Sequence, residues 1–111
     1  MDIQSTRSRL LGLDEVDLVL VERHLMHADI VEDWLQLKQR AADAGFDLTV
    51  ASSYRSFARQ LTIWNQKASG VRPVYDQLGE QIEISSLAPL SRVRAILRWS
   101  ALPGGSRHHW G

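Results

Sequence analysis

The sequence contains no cysteine. That excludes disulfides and any zinc site built on thiolates, and it leaves the redox compartment open. It has no surplus of charge either, because 13 Lys and Arg balance 13 Asp and Glu. Nothing therefore draws nucleic acid or anionic lipid from a distance, and neither is expected as a partner. No apolar run approaches the roughly 20 residues that span a bilayer. The start, Met1-Asp2-Ile3-Gln4, lacks a basic region followed by an apolar core, so no signal peptide is expected. What is present suits one globular domain with a modest core: 111 residues, 44% hydrophobic and 23% charged. With no thiolate available, any metal must be held by imidazoles and carboxylates.

Three segments have the period of helices. Over Ala28–Ala44, the residues Ile30, Trp34, Leu37, Ala41 and Ala44 recur at steps of four and three, and Gly45 can take the left-handed conformation that ends a helix. A second helix is predicted over Ser56–Ala68, with Ser56 as N-cap, Phe57, Leu61, Trp64 and Ala68 as its buried stripe, and Gln60 off it. A third is predicted over Ala88–Ala101, with Pro89 in its first turn. Arg92, Arg94 and Arg98 face outward on it as a solvated surface. Between the first two helices, Asp47–Ser52 alternates like a strand. Val16–Val21 is short and apolar enough for another. The broken pattern from Val71 to Ser86 reads as a long loop or flap with a brief extended piece at Gln81–Ile84. His24 and His27, three residues apart, have no carboxylate or third histidine beside them, so a surface role or a lead into the first helix fits them better than metal binding. The fold class expected is α+β, with about three helices around a small antiparallel sheet. Residues 1–23 form a lead-in and residues 24–111 the domain proper.

Arg55 lies where the expected strand meets the second helix. A cation beside the free amides of a helix start suits a carboxylate or phosphate. The last six residues, Ser106-Arg107-His108-His109-Trp110-Gly111, follow a Pro103-Gly104-Gly105 turn and place two imidazoles together. Imidazole is the commonest protein ligand for zinc.

Ser106-x-His108-x-x-Gly111 resembles the first zinc-binding motif of the D-alanyl-D-alanine carboxypeptidase family of zinc metallopeptidases, the vancomycin-resistance-type carboxypeptidases and related cell-wall peptidases. Ser52-Ser53-Tyr54-Arg55-Ser56, with Gln60 five residues after the arginine, is similar to that family's substrate motif. Ile63-Trp64-Asn65 and the run Ala95–Gly104 also resemble one bacterial branch of it, in the same order and spacing. The resemblance implies that His108 is the first zinc ligand and Ser106 lines the site. Arg55 would grip the substrate's C-terminal carboxylate and support the transition state, with Gln60 beside it. His109 matches no ligand position. The family's aspartate ligand, second histidine ligand and glutamate base would all fall after Gly111, so the resemblance is to a C-terminally truncated, incomplete zinc-peptidase domain. The function it implies is removal of C-terminal D-alanine from peptidoglycan peptides with zinc as cofactor, in the cell envelope or periplasm, with this chain inactive by itself. The alternatives are a cell-wall endopeptidase of the same family and a non-catalytic peptide-binding module.

Overall fold

A computed structural model describes residues 2–111. Met1, the first residue of the expected lead-in, lies outside the described residues. The fold is α+β, with four α-helices and two antiparallel two-stranded sheets among the described residues. The lead-in region holds helix α1, Ile3–Leu10, where Asp2 caps the first turn by accepting from the Gln4 amide at 3.3 Å.

Strands β1, Leu18–Val21, and β2, His24–His27, form a hairpin that pairs Leu18 with His27 and Val21 with His24. Its two-residue turn, Glu22-Arg23, has both φ values positive, at 50° and 72°. That is the turn whose twist matches the strands, and it strains two non-glycine residues. Glu22 is held there by an ion pair to Lys38 of α2, Val31–Asp43. His24 and His27 thus sit on a strand. His27 also leads into the helical region, because its Nδ1 accepts from the Asp29 amide at 3.1 Å and caps the 3₁₀ turn Ala28–Ile30 that precedes α2.

After α2 the structure corrects the sequence reading. No strand forms over Asp47–Ser52, and the chain from Phe46 to Ser56 is irregular. Leu48 and Val50 alternate, but that segment has no partner strand. Its end is tied instead by single bonds to other elements, Tyr54 N–H to the Leu25 carbonyl of β2 at 2.9 Å and Arg55 N–H to the His108 carbonyl at 2.7 Å.

Helix α3, Phe57–Ala68, begins where expected. The Ser56 hydroxyl accepts from the Arg59 amide at 3.0 Å. A Ser56→Ala variant should lose about 1 kcal/mol, the usual worth of such a cap. An unchanged urea midpoint would show that the cap is idle. The buried face of α3 differs from the expected stripe. Gln60 and Ile63 are buried, Trp64 and Ala68 are partly covered, and Leu61 is exposed.

The flap region folds into a second hairpin, β3 at Val74–Tyr75 and β4 at Gln81–Ile82. Helix α4, Pro89–Leu97, stops four residues before Ala101, because the amides of Trp99 and Ser100 both turn back to the Ile96 carbonyl. Val74, Ile84 and Ile96 form one buried core cluster, against which Trp64, Ala68, Ile82, Leu87 and Ala95 pack, and Met26 and Ile63 are buried outside it. The molecule is flat, 47 × 43 × 19 Å. Its radius of gyration of 17.0 Å exceeds the roughly 13 Å of a compact chain this long.

Candidate active site

Residues Ser53–Ser56 run between β2 and the C-terminal 3₁₀ turn Arg107–Trp110 and are clasped from both sides. On the β2 side, the Tyr54 amide and the Ser53 hydroxyl both donate to the Leu25 carbonyl. On the other side, Arg55 N–H donates to the His108 carbonyl at 2.7 Å. The imidazoles then take the two alternate carbonyls, His108 Nδ1 lying 2.7 Å from the Ser53 oxygen and His109 Nδ1 lying 2.6 Å from the Arg55 oxygen. The buried Ser106 caps the turn that carries them, its hydroxyl accepting from the His108 amide at 3.1 Å. The Tyr54 phenol donates to the Gly12 carbonyl at 3.3 Å, and burial, with Glu15 and Asp14 adding to it, raises its pKa and keeps it protonated.

A carbonyl only accepts, so both Nδ1 atoms must carry the proton. For His108 this leaves the Nε2 lone pair with no partner among the described residues. A ring N–H on a backbone carbonyl with the other nitrogen free is the arrangement of a metal-ligating histidine. His109 is different. Its Nε2 accepts from the Gly104 amide at 3.0 Å, so both its nitrogens are engaged. It is 2% exposed and stacks on the Phe57 ring, with centroids 6.5 Å apart. His109 is therefore a latch that joins Arg55 to the Gly104 turn. The sequence offered no signal for this, because its partners are remote in the chain.

Zinc fits this set only in part. His108 has the right tautomer, but no three His, Asp or Glu side chains gather to hold a metal among the described residues. A catalytic zinc takes three protein ligands.

The Arg55 side chain turns toward α3 and donates from Nη1 to Gln60 Oε1 at 2.9 Å. Gln60, 1% exposed, passes the chain of bonds on through Nε2 to the Ala101 carbonyl at 2.8 Å. A buried amide satisfied on both sides holds its acceptor still, so the guanidinium is fixed in direction. Burial lowers the Arg55 pKa, and Arg59 and Arg72 lower it further. An arginine nonetheless stays charged at any ordinary pH. Arg55, Gln60, Ser106 and His108 thus belong to one bonded network, and His27 joins it only through its backbone amide, which donates to the Gly111 carbonyl at 2.7 Å. A cavity of about 320 Å³ lies between α1, the first hairpin and the C-terminal turn, and its walls include neither Arg55, Gln60 nor His108.

Residues 23–111 match the VanY family, described as D-alanyl-D-alanine carboxypeptidase. An uncharacterized protein of Haemophilus influenzae is 43% identical over 79 residues, which cover 71% of this chain and 54% of that protein. The chain therefore spans about half the length of this curated relative. No solved structure matches it.

Proposed function

Because the chain belongs to the D-alanyl-D-alanine carboxypeptidase family, we propose that it carries the carboxylate-recognition part of a site for bacterial cell-wall peptides ending in D-alanine. The observation that supports this reading is the Arg55–Gln60–Ala101 chain of hydrogen bonds, which aims a guanidinium from a half-buried junction beside the His108 turn. A guanidinium offers a carboxylate two parallel donors, and its desolvation here strengthens what those donors are worth. In this reading Arg55 binds the peptide's terminal carboxylate, Gln60 holds Arg55 in place, and Ser106 keeps the wall that carries His108.

When bound in such a site, zinc polarises the scissile carbonyl and activates water. His108 Nε2 is the one ligand that this chain's described residues would offer it. The chemistry assigned to the chain itself is therefore binding. Removal of D-alanine belongs to a protein in which the remaining ligands are supplied, and the cell envelope is where such peptides occur.

The test is a calorimetric titration with acetyl-D-Ala-D-Ala and with its C-terminal amide. The free acid should bind and the amide should not. Arg55→Lys, which keeps the charge and loses the fork, should weaken binding by about 1.5–3 kcal/mol, the scale of a hydrogen bond to a charged group. Equal binding of acid and amide, or a lysine variant as good as the parent, would remove the carboxylate role from Arg55.

A further inference from the structure

Beyond Arg55 and the exposed Arg59, two part-buried cations stand in the same neighbourhood without a carboxylate. Lys67 donates from Nζ to Ser100 Oγ. Arg72 donates to Gln66 Oε1 from Nε at 3.3 Å and from Nη2 at 3.2 Å. Arg55, Lys67 and Arg72 thus each donate to a neutral oxygen, although the chain has as many acids as bases. The ion pairs among the described residues lie elsewhere, at Arg9–Asp17, Lys38–Glu22 and His27–Asp29.

The backbone explains how Lys67 comes beside the Arg55–Gln60 pair. Gln60 and Lys67 lie seven residues apart on α3, two turns along one face. Side chains on a helix lean toward its N-terminus, so the lysine reaches back along that face. It lands on Ser100, while Gln60 lands on Ala101, the next residue. The ammonium and the amide that holds Arg55 are therefore anchored on consecutive residues, Ser100 and Ala101. Burial lowers the Lys67 pKa, and Arg72 and Arg55 lower it further. Its charge is thus kept at a cost that a bound anion would relieve.

We propose that Lys67 and Arg72 extend the Arg55 site into a subsite for a second carboxylate, so that the chain prefers peptides with an acidic residue next to the C-terminal one. This rests on Arg55 binding the terminal carboxylate. A peptide held there carries its penultimate side chain one residue from the bound carboxylate, and Lys67 is anchored one residue from the contact of the Gln60 that holds Arg55. A single-carboxylate ligand would leave two like charges facing each other, and a second carboxylate would neutralise them.

The probes are acetyl-D-Ala-D-Ala and acetyl-D-Glu-D-Ala, titrated into the chain by calorimetry at low salt. The dicarboxylate should bind about tenfold tighter, the effect of one added charge-assisted contact. In Lys67→Met that advantage should fall below about twofold, and in Lys67→Arg it should return. Should Lys67→Met fail to fold by circular dichroism, Arg72→Gln provides the second reading, with the advantage reduced but not abolished. Equal binding of both peptides to the parent chain, or an advantage that survives both substitutions, overturns the subsite. Arg55→Lys separates the two ideas. If it weakens both peptides while the parent shows no preference, the subsite fails and the carboxylate clamp stands. If it weakens neither, the clamp fails. A chain that binds neither peptide overturns both.

Discussion

Replacing His109 by leucine should cost about 2–6 kcal/mol of stability, because it strands two backbone groups at once. Leucine matches the imidazole roughly in bulk, so the stack on Phe57 is largely refilled and the loss isolates the polar part. The Arg55 carbonyl loses its donor at 2.6 Å, and the Gly104 amide loses its acceptor at 3.0 Å. Each sits where a 2% exposed side chain has kept water out. A group left unpaired in such a place costs about 1–3 kcal/mol. Against the 5–15 kcal/mol of a typical domain this is a large fraction, and more so for a chain with few fully buried apolar side chains. Urea unfolding followed by circular dichroism reads the loss. A midpoint unchanged from the parent would mean that His109 latches nothing. Proton-detected nitrogen NMR gives an independent readout, since the parent's His109 ring should carry its proton on Nδ1.

The helices were legible because their information is local. The Ser56 cap and the apolar positions of α2 and α3 lie within one or two turns of each other, and α3 starts at Phe57 as that pattern requires. The strand over Asp47–Ser52 was not legible, although Leu48 and Val50 alternate. Alternation states only that a segment could be half-buried in a sheet, and a sheet needs a partner strand from elsewhere in the chain. No partner is supplied among the described residues, so the segment stays irregular. The α3 stripe misled for a related reason. Gln60 is polar and the apolar period puts it off the buried face, yet it is 1% exposed because Arg55 and Ala101 satisfy both ends of its amide. Pattern reading sorts residues by transfer from water, and a doubly bonded amide escapes that sorting. At the candidate site, the resemblance pointed to Arg55, Gln60, Ser106 and His108, and the structure links them in one network. It did not point to His109, whose partners are remote, or to Lys67, whose neighbour Ser100 lies 33 residues away.

A Gly12→Ala substitution, a change of one methyl group at a buried turn, should be about as damaging as loss of the latch. Gly12 has φ +76°, in the left-handed region, where an alanine costs roughly 1–2 kcal/mol. The added Cβ would also lie 2.5 Å from His109 Nδ1, 2.7 Å from its Cγ and 2.9 Å from the Phe57 amide nitrogen. Two of those atoms belong to a ring held at both nitrogens, and the third is backbone already donating to the Gly12 carbonyl at 2.9 Å. None of them is the loose end of a flexible side chain. Overpacking of this kind typically adds about 1–3 kcal/mol, so the total should be about 2–5 kcal/mol. The origin of that cost is separable. In a His109→Ala background the two ring contacts vanish, while the Phe57 contact and the strained φ remain. Gly12→Ala should therefore cost less there than in the parent, by a coupling on the order of 1 kcal/mol in a double-mutant cycle. Urea midpoints of the four proteins measure it. Additive losses would place the damage in the strained φ and the Phe57 contact and would take away the claim that Gly12 is reserved for the imidazole that grips Arg55.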